Sequence, residues 1–294
     1  MVSEKLGVCI LNWNAGLTLL DCVNSLRTAT RDDDCELVVV DNHSTDASVE
    51  LLRSALPSVT ILRNVRNLGY AKGNNIGAKV LLERDCKLLM FINPDVLITN
   101  AALSALREAV TENSRVGCVG GLPTNDGGVS RMACRNRPSF VDTLILYGPL
   151  ARLPWIGRVR RRHFIDWQSL PDNAPVYAVS GACILFPVAA FTAIGGFDEN
   201  TFLYQEEFIV SEKLRSLGWT IVLSKKAPYQ HAEGHSTNQV PYRRRLDFIR
   251  SEQYVARTYY RWNAGLRMFL RGVRYAEWIP YVIKHWAQRR LARA

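Results

Sequence analysis

Lys87-Leu88-Leu89-Met90-Phe91-Ile92-Asn93-Pro94-Asp95-Val96 is the stretch from which the rest of the chain is read. Residues 88–92 are apolar without a break, too few for a free-standing helix but suited to a strand buried on both faces of a parallel sheet. Asn93-Pro94 ends it, because proline cannot donate to the ladder and steers the preceding residue into an extended or turn conformation. Asp95 is therefore expected at the carboxyl edge of the sheet, where open α/β sheets bind their ligands. A carboxylate there is a candidate ligand for a divalent cation bridging a pyrophosphate, since hard cations take carboxylate and phosphate oxygens together. Capping the helix that begins near Asn100, or closing an Asx-turn, is the competing use of the same side chain.

Upstream, the same pattern recurs three times. Residues 7–11 form an apolar strand running into Asn12-Trp13-Asn14, and Leu19, Leu20, Val23 and Leu26 give the next stretch helical spacing. A second strand over residues 36–40 enters Asp41-Asn42-His43-Ser44-Thr45-Asp46, with Asp46 a candidate cap for a helix over 47–55. A third, over 59–62, leads to Asn64-Val65-Arg66-Asn67-Leu68-Gly69-Tyr70-Ala71-Lys72-Gly73-Asn74-Asn75. Strands alternating with helices predict an α/β fold with a mostly parallel, Rossmann-like central sheet flanked by helices. All four strand ends then lie along one edge. Amides and carboxylates there suit a base and ribose, Gly69 and Gly73 let backbone approach a phosphate, and Lys72 opposes its charge. Ordinary turn chemistry explains any one such loop, but explains four at corresponding ends less well. No G-x-G-x-x-G follows the first strand and no G-x-x-x-x-G-K-[ST] occurs, which disfavours a dinucleotide dehydrogenase or a P-loop enzyme.

The second half supplies further carboxylates. A helix over residues 101–112 and a short strand over 116–121 precede residues 124–175, where periodicity fades and prolines accumulate. The Arg158-Val159-Arg160-Arg161-Arg162 run suits phosphate, membrane or plain solvent. Order returns at residues 176–186, followed by Gly195-Gly196-Phe197-Asp198-Glu199-Asn200-Thr201-Phe202-Leu203-Tyr204-Gln205-Glu206-Glu207-Phe208 and a helix to Leu217. Acids in a first helical turn are favoured by the macrodipole alone, but the aromatic bulk around Glu206 and Glu207 predicts that at least one is buried. After a strand over 220–223, a loop carries His231 and His235.

A chain of 294 residues can bury one large core with a smaller appendage, and its 48% hydrophobic and 22% charged content is globular. Seven scattered cysteines without a C-x-x-C pair read as reduced thiols, supporting neither a zinc site nor a disulfide framework. The start lacks the apolar run of a secretory signal, and no apolar stretch is long enough to span a membrane. The net charge of +10 resides in residues 242–294, which hold thirteen Lys or Arg against three acids and eleven of the 28 aromatic residues. A helix from about Ala264 with Leu266, Phe269, Leu270 and Val273 on one face and Arg267, Arg271 and Arg274 on its flank suits an anionic lipid surface first, docking on the catalytic core second and nucleic acid third. Trp278, Tyr281 and Trp286 continue it towards Arg289, Arg290 and Arg293.

In Asn12-Trp13-Asn14, Val39-Val40-Asp41-Asn42-His43-Ser44-Thr45-Asp46, Asn67-Leu68-Gly69-Tyr70-Ala71-Lys72-Gly73-Asn74-Asn75 and Asn93-Pro94-Asp95-Val96, in that order, the chain resembles the family-2 nucleotide-sugar glycosyltransferases of the A-type fold. It is most similar to the bacterial rhamnosyltransferase branch of surface polysaccharide synthesis, over residues 5–240. By that resemblance Asp41 binds the base, Asn12, Asn14, Asn42 and Ser44 line the nucleoside pocket, and Asn67, Gly69, Lys72, Gly73 and Asn74 lie by the donor ribose or phosphates. Asn93 stands at the first acid of the family's D-x-D motif and Asp95 at the last, with His231 or His235 as a further partner of Mg²⁺ or Mn²⁺. Glu207 matches the general base of inverting transfer, a Glu where Asp is usual, with Glu206 the alternative.

The reading implies a catalytic domain over residues 1–241, its donor half ending near 122, and a basic, aromatic helical extension over 242–294. It describes a cytoplasmic, peripherally membrane-bound, metal-assisted inverting glycosyltransferase acting on a glycan or lipid-linked acceptor, with dTDP-L-rhamnose as a candidate donor. A homodimer is compatible with it, and no nucleic acid is expected as partner. The rivals are a sugar nucleotidyltransferase, which would release pyrophosphate, and a non-catalytic nucleic-acid binder acting through the tail.

Overall fold

A computed structural model of the chain describes residues 4–30, 35–148, 151, 156–232 and 244–279, together with the backbone of 241–243 and 280–291. Its first half alternates as β1 (Leu6–Asn12), α1 (Thr18–Ala29), β2 (Cys35–Asp41), α2 (Ser48–Ala55), β3 (Thr60–Arg63), α3 (Tyr70–Glu83) and β4 (Leu88–Ile92). Next come β5 (Val96–Leu97), α4 (Asn100–Thr111), β6 (Val116–Asn125), β7 (Gly128–Val129), β8 (Cys134–Arg135), α5 (Phe140–Leu146) and α6 (Gly157–His163). The strands β9 (Asn173–Val176), β10 (Ala178–Val179) and β11 (Cys183–Pro187) precede α7 (Val188–Ala193) and α8 (Glu206–Ser216). Then follow β12 (Thr220–His231), α9 (Pro241–Thr258) and α10 (Ala264–Leu291).

The main sheet has the order β3-β2-β1-β4-β11-β6-β12-β5. β3, β2, β1 and β4 are parallel neighbours, β6 is parallel to β12, and β11 runs antiparallel between β4 and β6. β4 and β6 therefore share a direction, so the sheet is mostly parallel, as expected. The strand order reverses at β1, between β2 and β4, which marks the crevice for a ligand. Register sets Asn12 opposite Asp41 and Asp41 opposite Arg63, with Ile92 level with Ile10.

All five side chains of β4 are buried, each stabilising the fold by about 1.5–3 kcal/mol relative to exposure. Leu88, Met90 and Ile92 face a core shared with Leu19 and Leu26 of α1 and Leu103 and Leu106 of α4. Leu89 and Phe91 point the other way, towards Leu81 of α3, Phe191 of α7 and Leu214 of α8. Helices thus cover both faces.

Several boundaries differ from the expectation. The strand placed at 116–121 continues to Asn125, and that placed at 220–223 continues to His231. A register shift between Leu223 and Pro228 lets β12 carry a proline, so His231 is a strand residue and not a loop residue. Residues 124–175 contain α5 and α6, and the first is held by a capping box between Ser139 and Asp142.

The extension docks on the rest of the chain. Arg274, expected on the helix flank towards anionic lipid, is completely buried and donates to both oxygens of Glu252, at 2.9 and 3.0 Å, and to Thr143 O at 2.6 Å. Leu270 is buried, while Phe269, placed on the same apolar face, is largely exposed. The side chains of Tyr281, Trp286, Arg289, Arg290 and Arg293 lie outside the described residues. Among the described residues no helix is long and apolar enough to cross a membrane. All seven cysteines are free thiols.

Candidate active site

Pairing of β5 with the end of β12 sets His231 opposite Val96, directly after Asp95. Asp95 Oδ1 lies 3.4 Å from His231 Nε2, and Asn93 Nδ2 lies 3.5 Å from the same nitrogen. The cap of α4 is Thr99, whose hydroxyl accepts from Ala102 N at 3.2 Å, so Asp95 is not used there. With side-chain exposures of 10% and 14%, Asp95 and His231 are nearly enclosed. One carboxylate and one imidazole side by side suit a Mn²⁺ or Mg²⁺ ion whose remaining positions would go to phosphate oxygens and water. Among the described residues no group of three His, Cys, Asp or Glu gathers, so a cation here depends on oxygens brought by the substrate. His235 lies outside the described residues.

The donor-side loops interlock at the same edge. Asn12 Nδ2 lies 3.1 Å from Asp41 Oδ1, 3.0 Å from Ser44 Oγ and 2.9 Å from Ser48 Oγ. Asp41 also accepts from Ser44 N and pairs with Arg63 Nε at 3.2 Å, so it is a buried hub tying three strand ends together. Asn14 stands nearer the surface, its amide N donating to Ser44 Oγ and its Oδ1 accepting from Thr45 N. Asn42 Nδ2 donates to Gly69 O, and its Oδ1 accepts from Asn64 Nδ2 and Leu68 N, which fixes the loop containing Asn67.

Gly69 has φ +83°, and a Cβ there would stand 2.4 Å from Phe202 O, whose carbonyl accepts from Tyr70 N. Gly73 and Asn74, expected beside the donor, face inward: a Cβ at 73 would meet Leu11 Cδ1 at 2.4 Å, and Asn74 Nδ2 donates to Tyr70 O. Helical spacing turns Lys72 outward instead, where its Nζ lies 3.8 Å from Glu199.

Glu206 and Glu207 open α8 directly after Tyr204 and Gln205, whose φ values are 72° and 74°. Neither is glycine, and each such conformation costs about 1–3 kcal/mol unless its surroundings enforce it. Glu206 is buried and its Oε1 has no hydrogen-bond partner; burial first, then the charge of Glu207, raises its carboxyl well above the usual range. Glu207 keeps 24% side-chain exposure and places Oε1 3.1 Å from Nη2 of Arg135. Arg135 is itself buried, with its guanidinium 4.6 Å over the Phe208 ring and its backbone held by Ala178 and Phe164. Sequence reading missed it, because a lone arginine in an aperiodic stretch carries no local sign of a distant partner.

Residues 180–182 join the two sets of acids. Asn93 N donates to Ala182 O at 2.8 Å, Tyr70 Oη donates to Gly181 O at 3.0 Å, and a Cβ on Gly181 would stand 3.1 Å from Glu207 Cγ. Asn93 and Glu207 therefore both adjoin one short turn, and Gly181, Glu206 and Glu207 line a narrow cavity with Tyr70 and Val179.

A mostly parallel sheet with this edge is the architecture of the A-type glycosyltransferases. A structure of GalNAc-T7 with UDP, GalNAc and Mn²⁺ shares the fold, with a TM-score of 0.62 and 16% identity over 87% of this chain and 48% of that one. Residues 7–190 match the model of glycosyl transferase family 2, and the chain belongs to that family. It is 28% identical to an N-acetylglucosaminyl-diphospho-decaprenol L-rhamnosyltransferase of Mycobacterium tuberculosis over 92% of this chain and 91% of that protein. Over 69% of this chain and 60% of the other, it is 25% identical to the dTDP-rhamnosyl transferase RfbF of Shigella flexneri.

Proposed function

We propose that this glycosyltransferase transfers L-rhamnose from dTDP-L-rhamnose, with inversion, to a sugar carried on a lipid diphosphate or a growing surface glycan. The names of the two rhamnosyltransferase relatives support the donor, and the first of them supports the acceptor class. The observation that supports the mechanism is that residues 180–182 bond Asn93, two residues before Asp95, through Ala182 and lie against Glu207 at Gly181.

Glu207 acts as general base: it takes the proton of the acceptor hydroxyl as that oxygen bonds to the anomeric carbon. The bond from the anomeric carbon to the phosphate oxygen breaks on the opposite side, and dTDP leaves. Asp95 and His231, with Asn93 beside them, would hold a Mg²⁺ or Mn²⁺ ion, which when bound neutralises charge on the departing diphosphate. Asn12, Asp41, Asn42 and Ser44 build the floor of the nucleoside pocket, Asn14 and Asn67 stand at its rim, and Lys72 faces the phosphates. Gly69, Gly73 and Asn74 serve that pocket by seating α3.

A lipid-linked acceptor brings the chain to a membrane surface, and the α10 face supports that association. Met268 and Phe269 are 73% and 57% exposed, with Phe269 beside Phe140, whose ring also packs on Trp262. Arg261 and Arg271 are exposed around them. Two of the three acids of residues 242–294, Glu252 and Glu277, pair with Arg274 and Arg245, so the outward charge is basic.

A panel of nucleotide sugars with Mg²⁺ or Mn²⁺ tests the reaction class. Release of nucleoside diphosphate with dTDP-L-rhamnose supports it; turnover of another donor alone corrects the sugar, and pyrophosphate release from a nucleoside triphosphate and a sugar phosphate replaces it with nucleotidyl transfer.

A further inference from the structure

The strained turn at Tyr204 and Gln205 is gripped by a helix that sequence reading assigned to the tail. Ser251 Oγ of α9 donates to Leu203 O at 2.8 Å, and Arg244 Nε donates to the Tyr204 hydroxyl at 2.8 Å. Earlier in the same loop, the hydroxyls of Tyr254 and Tyr259 both donate to Asp198 Oδ2. Phe248 packs its ring 5.9 Å from that of Tyr204. Residues 198–204 are thus bonded at three points to α9 and at a fourth to Tyr259, the residue that follows it, just before the two acids. α9 is itself anchored by the buried pair between its Glu252 and Arg274 of α10.

We propose that α9 is a positioning element of the active site, with Ser251 and Arg244 holding Leu203 and Tyr204 so that the left-handed turn aims Glu207 at the acceptor. The inference rests on Glu207 being the base. Two successive left-handed residues without glycine relax towards extended or right-handed backbone when released. Either change rotates the first turn of α8 and carries Glu207 away from Arg135 and from residues 180–182. On the near side, the bonds to Leu203 O and Tyr204 Oη fix the residues entering the turn. On the far side, Ile209 N donates to Gln205 O at 3.0 Å and fixes the helix leaving it. Arg135 then holds the carboxylate end. The backbone that carries Glu207 and the tip of its side chain are therefore secured by separate parts of the chain. α9 touches no reacting atom and acts through Tyr204 and the backbone of the turn.

The test uses the full chain, with dTDP release from dTDP-L-rhamnose in the presence of a polyprenyl-diphosphate-linked N-acetylglucosamine. Ser251→Ala should lower kcat about tenfold to a hundredfold, the scale of a small misplacement of a catalytic group, with the donor KM within about twofold. Tyr204→Phe, which removes only the hydroxyl that Arg244 grips, should act in the same direction. Adding Gln205→Gly to Ser251→Ala should restore about threefold or more of the lost kcat, because glycine holds a positive φ without external support. Unchanged kcat in both single variants overturns the proposal, and so does a loss that glycine at 205 leaves uncorrected, which would be general loosening of the fold. Glu207→Gln is measured alongside: retention of its rate overturns the base assignment, whereas its loss with wild-type rates in the α9 variants overturns the positioning role alone. Hydrogen exchange at the first turn of α8 reads the same grip without substrate. Faster exchange in Ser251→Ala supports it, and unchanged exchange contradicts it.

Discussion

Glu207 and Arg135 form an ion pair of 3.1 Å in which the arginine is almost wholly enclosed and the glutamate faces the site with a quarter of its side chain exposed. A pair so arranged fixes one carboxylate oxygen and leaves the other for an acceptor. Arg135→Met should reduce kcat by about tenfold to a hundredfold at little cost in donor KM. Arg135→Lys should recover only part, since an ammonium keeps the charge but not the planar contact with Phe208. Steady-state kinetics check this, and a donor KM effect without a kcat effect would move Arg135 to the donor side.

If Asp95 and His231 are the two protein ligands proposed above, Asp95→Asn and His231→Ala should each raise the Mn²⁺ concentration for half-maximal activity by at least about tenfold. Thr99→Ala is the matched control. It removes the α4 cap, lowers stability by about 1 kcal/mol and leaves the metal titration unchanged.

Glu206 gives a pH signature in stability. Its carboxyl is raised in the folded chain, so folding favours the protonated form. That contribution is fully present below the ordinary glutamate range and is lost as pH rises through the raised folded value. The melting temperature of the wild type relative to Glu206→Gln should therefore fall between about pH 5 and pH 8, leaving the variant more stable by several degrees at pH 8. For scale, about 1 kcal/mol corresponds to roughly 2–4 °C. A difference independent of pH would show that Glu206 is ionised in the folded chain throughout.

The clasp between Arg274 and Glu252 makes α10 part of the fold. Arg274→Met leaves a buried carboxylate without its cation and should cost about 3–5 kcal/mol in denaturant unfolding, while the double variant with Glu252→Leu should regain most of it. A loss below about 1 kcal/mol for the single change would mean that α10 is not docked.

Binding to vesicles containing anionic lipid should fall about tenfold or more when Met268 and Phe269 are both changed to Asp, and should weaken as salt rises. Equal flotation of wild type and variant would remove this face from any membrane contact.

How far the sequence could be read followed from how locally each feature is encoded. The strand leading to Asp95 was legible because a strand buried on both faces is a continuous apolar run, and Pro94 marks its end within two residues. The sheet edge followed from strand and loop order alone. His231 was expected in a loop because the apolar run ends at Leu223, whereas the ladder resumes beyond it by a register shift. Gly73 and Asn74 read as part of a polar loop, whereas residues 70–83 are a helix in which both are buried. Arg274 resembled surface charge because its partners, Glu252 and Thr143, meet it only after folding. The left-handed Tyr204 and Gln205 lack the glycine that would announce such a turn.

The account depends most on one reaction having a base on one side and a metal-binding pair on the other. The direct measurement is transfer from dTDP-L-rhamnose to a polyprenyl-diphosphate-linked N-acetylglucosamine with Mn²⁺, scored for dTDP and for the anomeric configuration of the product, in wild type, Glu207→Gln and Asp95→Asn. The account predicts dTDP release, inverted configuration and a loss of about a hundredfold or more in each variant. Retained configuration, or wild-type rates in both variants, would contradict it.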